Sequence, residues 1–543
     1  MTMIKPFAIT LDPGSSLSNH TGSWRTFRPV YLDRMPPCND TCPAGENIQK
    51  WLFHAEEGDY HSAWMEIMRN NPMPAIMGRA CYHTCENACN RGHLDETVGI
   101  HAVERFLGDL AIDKGWIVRL ESQPTGKKIL VVGSGPGGLS AAYHLTLLGH
   151  KVVIHEAAPK AGGLMRYGIP RYRLPTSVLE AEISRIEALG VRIMLNSPVQ
   201  DLDATMRDGG FDAAFIAVGA QLAKTQKLNS DGSIKALYAI DVLRQLELGE
   251  NVPDMGKRVV VIGGGNVAID AARSAIRLGG QVTIAYRRTR ERMPAHDFEI
   301  REALEEGVKL ECLRRVSEVK EGFVILDKMV LDDTGWPQPT GQMEYLEADS
   351  IVLALGQDVQ APFLQNVSGI KFSEGNLIVD EHMMTGRAGV FAGGDMVPSN
   401  RTMTTAVGHG KKAARNIDAF LRGVQYAPPK KHEIATFENL NPWYYDDAPK
   451  TVQPTLDLIR RQSGFEEVLG NLDESNALFE ARRCLSCGNC FECDNCYSVC
   501  PDNSIIKLGP GRRFEFKYDY CKGCGLCVRE CPCGAIKIQL ENI

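Results

Sequence analysis

No stretch of this sequence approaches the roughly 18 uninterrupted apolar residues that a membrane-spanning helix requires, so none is expected. Basic excess is also missing: 67 acidic against 60 Lys and Arg residues leave a net charge of −7, no electrostatic footprint for nucleic acid. Residues 1–30 have neither a lysine-rich start nor an apolar core, so no signal peptide is expected. Cysteine, by contrast, is plentiful. Seventeen thiols without a secretion signal point to metal ligation in a reducing, cytoplasmic compartment rather than to disulfides. They fall in two groups, five between 38 and 89 and eleven between 484 and 533, with Cys312 alone.

At 543 residues the chain has material for three or four domains. NIQKWLFHAEEGDYHSAWMEIMRNNP reads as two short amphipathic helices within a helical segment, residues 1–125. After the breaker ESQPTG the texture becomes alternating strand and helix. KKILVVGSGPGGLSAAYHLTLLGHKVVIHE is strand, tight turn, helix, strand, and KRVVVIGGGNVAIDAARSAIRLGGQVTIAYRR repeats the arrangement 130 residues later. The expected architecture is multidomain, with two nested Rossmann-like α/β nucleotide-binding domains. Residues 126–255 and 351–425 form the first and 256–350 the second. A linker over 426–483 mixes proline, charge and aromatics without a period, and 484–543 forms a cysteine-rich α+β ferredoxin-like domain.

Gly133, Gly135 and Gly138 make G-x-G-x-x-G directly after an apolar strand, with Pro136 and Gly137 inside the turn. The first glycine permits the turn, the second lets the backbone approach a pyrophosphate, and the third packs helix on strand. Glu156 closes the next strand, where a carboxylate takes ribose hydroxyls. The second unit has Gly263, Gly265, Asn266 and Ala268, but Tyr286, Arg287 and Arg288 stand where the first has its acid. Guanidinium groups there suit a 2′-phosphate and favour NADPH over NADH; as structure alone the pair is a solvated surface feature. A later Gly393-Gly394-Asp395 reads as a return to the first domain. Gly394 and Asp395 would hold the ribityl chain of FAD, and the helix from about Thr404 would direct amides at its ring system. No amino-acid acid or base is needed for hydride transfer from nicotinamide to flavin, so no catalytic side chain is nominated.

In the tail, Cys500-Pro501 fits C-x2-C-x2-C-x3-C-P only with Cys490, Cys493 and Cys496. The second run is Cys521, Cys524, Cys527 and Cys531-Pro532. Each run lends its fourth cysteine to the other cluster, giving Cys490/Cys493/Cys496/Cys531 and Cys521/Cys524/Cys527/Cys500 as two [4Fe-4S] ligand sets. Cys484, Cys487 and Cys533 are left over.

The two nucleotide units, GGLMRYGIPRYRLP, YRRTRERMPA and the GGD segment resemble the glutamate synthase small (beta) subunit family of FAD/NAD(P)H oxidoreductases, here with a fused two-[4Fe-4S] ferredoxin domain. The resemblance covers about residues 35–425 and implies FAD, NADP(H) and a helical N-terminal domain with two [4Fe-4S] clusters. It also adds Gly163 and Arg166 to the FAD-binding set. The family's opening phrase RC-L-x-C-G is missing from the N-terminus and stands instead at RCLSCG, 483–488. Carried over position by position, one cluster takes Cys38, Cys89, Cys484 and Cys487. The other takes Cys42, Cys81 and Cys85, with Glu104, a water or nothing as fourth ligand. The alternative for Cys484 and Cys487 is a vestigial site. Cys312, expected as a packed core thiol, and Cys533 stay free.

The resemblance implies an oxidoreductase that passes electrons between NAD(P)H (NADP(H) preferred, NAD(H) the alternative) and a ferredoxin or catalytic partner subunit, through FAD and four [4Fe-4S] clusters, within a hetero-oligomeric complex. A 2-oxoacid:acceptor oxidoreductase is one such partner. Alternatives are the small subunit of an NADPH-dependent glutamate synthase, the NAD(P)-reducing subunit of such a 2-oxoacid enzyme or of a bifurcating complex, and a non-catalytic electron-transfer scaffold. A thioredoxin-reductase-like enzyme would need a redox C-x-x-C in 256–350, where only Cys312 occurs.

Overall fold

The structure, a computed structural model, describes residues 20–225, 229–249 and 254–541. Of the stretch read for a signal peptide, residues 1–19 lie outside the described residues. No described helix is long and apolar enough to cross a membrane.

Six short helices build the N-terminal unit: Pro37–Thr41, Ile48–Glu56, Tyr60–Met68, Pro74–Ala80, Thr84–Asn87 and Ile100–Asp113. Proline occupies the first turn of two of them, where its missing N–H is no loss. Asp59 caps the third by accepting from the Ser62 amide. The apolar stripes meet in one core of Trp51, Leu52, Ile67, Val103 and Leu107. Leu472, Ala477 and Ala481 from the far end of the chain join it.

The first α/β domain is a five-stranded parallel sheet in the order Val390–Ala392, Ala213–Ile216, Lys128–Val132, Lys151–His155, Arg192–Met194. Its edge strand arrives only after the whole second domain has been inserted. The second sheet is also parallel, in the order Lys309–Cys312, Gln281–Tyr286, Arg258–Ile262, Ser350–Leu353, Lys235–Tyr238. The boundaries expected at 256 and 350 therefore move outward, because Lys235–Tyr238 and Ser350–Leu353 both belong to the second sheet. Ser350–Leu353 is buried throughout, so no alternation marked the sheet it would join. Cys312 ends an edge strand and is half-buried rather than packed in the core.

Residues 426–483 run back over the molecule. Ala435 pairs with Met35, and the Arg105 guanidinium donates to the Leu469 carbonyl at 2.7 Å. Within this segment the helix Leu458–Ser463 docks on the second domain through Arg461 and Glu306, and Glu474–Arg482 packs on Ile48–Glu56 and Ile100–Asp113. The tail has a hairpin, Ile505–Lys507 with Phe514–Phe516, and a last strand Ile536–Leu540. That strand pairs antiparallel with Phe27–Tyr31, so the two ends of the described chain share a sheet.

Candidate functional site

Both glycine turns open into one cavity of about 1460 Å³, lined by Gly133, Gly135, Glu156 and Asp395 on one side and by Gly263, Gly265, Arg287 and Arg288 on the other. That exceeds the roughly 300–1,000 Å³ of single-ligand pockets, and two dinucleotides end to end need such a volume. Gly133 has φ +100°, and a side chain there would meet the Ala217 carbonyl. A Cβ on Gly138 would lie 1.9 Å from the Gly133 oxygen, so only glycine lets helix Pro136–Leu147 sit this close to its strand. A Cβ on Gly135 would meet nothing within 4 Å. Gly135 and Gly137 line the cavity, and the open space at the helix N-terminus fits a pyrophosphate.

Glu156 is buried and oriented by three donors: Ser134 N at 2.8 Å, Ser134 Oγ at 2.5 Å and Ala158 N at 2.8 Å. Gly163 abuts Gly135 from the GGLMRYG segment; a Cβ there would lie 2.8 Å from the Gly135 Cα. Asp395 faces the cavity without a hydrogen bond among the described residues; burial raises its pKa and Arg401 opposes the rise. A half-buried acceptor without a donor fits a hydroxylated chain. The adjacent Gly394 amide donates to His409 Nδ1 at 3.2 Å.

In the second cradle Gly265 is likewise open, while Ala268 is fully buried beneath the turn. Arg287 and Arg288 line the cavity without an ion-pair partner among the described residues, whereas Arg314 and Arg315 beside them pair with Glu344 and Asp327. Arg288 lies over the Trp336 ring at 4.7 Å. Two uncompensated guanidinium groups at the strand end suit a phosphate dianion. The Asn266 amide nitrogen donates to Tyr82 Oη at 2.5 Å, and Tyr82 stacks on His296 at 3.9 Å. Tyr82 follows Cys81 directly, and no glycine or cysteine spacing marks it as a contact of this cradle.

Two of the residues expected at FAD face elsewhere. Arg166 is buried against the Ala161 carbonyl and Glu180, outside the cavity wall. Thr404 is also outside it: the helix Met403–Arg422 is capped by Thr402, whose side chain accepts from Thr405 N at 3.1 Å. That start turns Thr402, Met403 and Ala406 to the cavity and Thr404 away from it.

None of the seventeen cysteines is in a disulfide. Cys38, Cys89, Cys484 and Cys487, contributed by three separated segments, line one small cavity with Pro37, Leu52 and Val98. Burial, and then the charges of the other three, push Cys38 far above the ordinary thiol range. Asn90 Nδ2 donates to Cys487 Sγ at 3.4 Å. Four desolvated thiols lining one small cavity cannot all ionise unless a cationic centre balances them, which is what an iron–sulfur cluster supplies.

Cys42, Cys81 and Cys85 also lie together. Burial pushes Cys81 up to about 11 against the Thr404 hydroxyl donor. Cys42 is raised by burial and by the nearby Glu46, Cys81 and Glu104. Glu104 is buried, and its Oε1 accepts from Asn71 Nδ2 at 2.8 Å; the same nitrogen donates to Glu46 Oε1 at 3.0 Å. Burial and the Glu46 charge drive Glu104 well above the carboxylate range. Glu46, three residues after the C-P pair, is a second carboxylate that spacing did not single out.

In the tail, Cys500, Cys521, Cys524 and Cys527 line a third cavity with Pro29 and Phe516. Cys490, Cys493, Cys496 and Cys531 form the neighbouring group, in which burial and the other three thiols raise Cys496 to about 12. Cys533 is buried 3.8 Å from Cys531. Cys493 and Cys524 are exposed, so each group has an edge at the surface.

Residues 127–410 match the pyridine nucleotide-disulphide oxidoreductase family, 32–116 match dihydropyrimidine dehydrogenase domain II with its 4Fe-4S cluster, and 489–535 match a 4Fe-4S dicluster domain. The chain is 34% identical over 500 residues to the NADP(+)-dependent formate dehydrogenase subunit beta of Moorella thermoacetica, covering 83% of this chain and 70% of that protein. It is 31% identical to the NADPH-Fe(3+) oxidoreductase subunit beta of Geobacter sulfurreducens, covering 83% and 75%. Identity to the small chain of the NADPH glutamate synthase of Escherichia coli (strain K12) is 32%, over 70% of this chain and 88% of that one. The chain belongs to the pyridine nucleotide-disulphide oxidoreductase family and carries iron–sulfur domains at both ends of its FAD/NAD(P)H fold. It is a flavin- and iron–sulfur-dependent NAD(P)H oxidoreductase of the glutamate synthase small-subunit type.

Proposed function

We propose that this chain is the NADPH-handling subunit of a hetero-oligomeric oxidoreductase, exchanging electrons between NADPH and a ferredoxin or catalytic partner through FAD and four [4Fe-4S] clusters. The overall exchange is NADPH plus two oxidised one-electron acceptors giving NADP⁺, a proton and two reduced acceptors. Flavin, when bound, supplies the conversion from hydride to single electrons, and clusters carry the single electrons. The chain's own residues bind and orient. Gly133, Gly135, Glu156 and Asp395 would hold FAD. Gly263, Gly265, Arg287 and Arg288 would hold NADPH against it. Cys42, Cys81, Cys85 and Glu104, then Cys38, Cys89, Cys484 and Cys487, then the two tail sets would hold the clusters.

One observation carries the reading: thiols 38, 89, 484 and 487 converge on a single cavity. Cys484 and Cys487 fall outside both matched iron–sulfur segments, and the four-thiol cavity gives them a use. The named relatives, a formate dehydrogenase subunit, an Fe(3+) oxidoreductase subunit and a glutamate synthase small chain, differ in partner and share NADP(H), which supports assigning the nucleotide side to this chain.

The test is anaerobic kinetics on the reconstituted chain, comparing NADPH oxidation by a ferredoxin with that by a small dye. Ferredoxin reduction that disappears when the tail thiols are substituted, with dye reduction persisting, supports the reading. Ferredoxin reduction indifferent to the tail refutes it.

A further inference from the structure

Thr404 Oγ1 donates to Cys81 Sγ across 3.1 Å. We propose that this contact makes Thr404 a positioning residue for electron exit: its hydroxyl raises the reduction potential of the cluster on Cys42, Cys81 and Cys85 and fastens that cluster to the helix bordering the flavin cavity. The inference rests on the reading of Cys81 as an iron ligand.

The hydroxyl has few alternatives. Within a helix, threonine ordinarily bonds the carbonyl one turn back, but Thr404 is the second residue of Met403–Arg422 and no helical carbonyl precedes it. The N-cap role is taken by Thr402. Thr404 is 4% exposed, so water does not satisfy it either. Its remaining neighbour is Met77 Sδ at 3.9 Å, a weak acceptor. Cys81 is the partner that geometry leaves.

The same turn has a second face. Thr402, Met403 and Ala406 line the dinucleotide cavity while Thr404 reaches the thiol, so a single turn separates the cavity from the sulfur. A donor to sulfur stabilises negative charge, and a reduced cluster carries one more electron than an oxidised one. The contact therefore favours the reduced form. A cluster that must accept electrons from the flavin side gains driving force this way.

The experiment compares Thr404→Val, which removes the hydroxyl at constant volume, with Thr404→Ser, which keeps it. Both are made in the full chain, reconstituted anaerobically, and followed by iron and sulfide content and by redox potentiometry read through electron paramagnetic resonance. In Thr404→Val one cluster should become harder to reduce by about tenfold in its reduced-to-oxidised ratio, ~59 mV for one electron, with the others unmoved. Thr404→Ser should behave as the parent. Unmoved potentials in Thr404→Val, a common shift of all clusters, or a serine variant that matches valine would each overturn the inference. Cys81→Ala, which offers no donor atom, separates the premise: if it loses no iron, Cys81 is not a ligand and the underlying reading fails. Normal iron loss with an inert Thr404→Val sinks the tuning alone.

Discussion

The side-chain amide of Asn90 donates to the sulfur of Cys487 across 3.4 Å, although 397 residues separate them in sequence. Asn90 also donates to the Ala435 carbonyl at 2.8 Å, so one residue of the N-terminal unit holds both the returning segment and the relocated C-x-x-C. The chain's two iron–sulfur segments are thereby one structure, wrapped around a nucleotide-binding body.

The proposed NADPH preference rests on Arg287 and Arg288, which have no ion-pair partner among the described residues. Changing Arg287 and Arg288 together to alanine should lower kcat/KM for NADPH by roughly 30- to 150-fold, the equivalent of about 2–3 kcal/mol for two charge-assisted contacts. NADH turnover should change little. Equal efficiency with either nucleotide in the parent would remove the basis for the preference.

Two glycines in the first turn should fail in different ways. In Gly135→Ala the new methyl meets no protein atom within 4 Å and projects into the cavity, so the chain should fold with its usual thermal stability and lose FAD. In Gly138→Ala the methyl would lie 1.9 Å from the Gly133 oxygen, so the loss should be in folding itself, on the order of 3 kcal/mol. Calorimetry together with bound-flavin content distinguishes them.

Glu306 is fully buried and pairs with Arg273, Arg277 and Arg461, joining the returning segment to the second nucleotide domain. Burial alone would raise its pKa, but the hydrogen bonds from Arg273 and Arg277 outweigh that and hold it down to about 2, below its ordinary 4.5. Its folded pKa being the lower, its stabilisation is complete above about pH 4.5 and is lost as pH falls towards 2. Arg273 and Arg461 also pair with Glu302 and Glu305, but Glu306→Gln leaves the buried Arg277 without a carboxylate and should destabilise by about 3 kcal/mol at neutral pH. Denaturant unfolding at pH 7 measures it; a change below about 1 kcal/mol would show the cluster to be dispensable.

Sequence made the glycine turns and the gathering of Cys500 with Cys521, Cys524 and Cys527 legible because their chemistry fixes residue type and spacing together. Strand membership was less so. Ser350–Leu353 is apolar on both faces, and its place in the second sheet depends on partners at 235–238 and 258–262. The pairing of Phe27–Tyr31 with Ile536–Leu540 left no local trace: FRPVY lacks alternation and contains a proline, tolerated because the pair is an isolated two-stranded ribbon. Thr404 was assigned by its place near a helix start. The cap at Thr402 decides which way its side chain points, and that registers only in three dimensions.

Four cysteines from three segments are proposed to hold one cluster and staple the tail to the N-terminal unit. Iron and acid-labile sulfide on the anaerobically prepared chain, set beside the Cys484→Ser/Cys487→Ser double variant, test it directly. The parent chain should hold about sixteen of each and the variant about twelve, with limited proteolysis now cutting within residues 426–483. A parent count near eight, or a double variant that keeps the full parental complement, would contradict it.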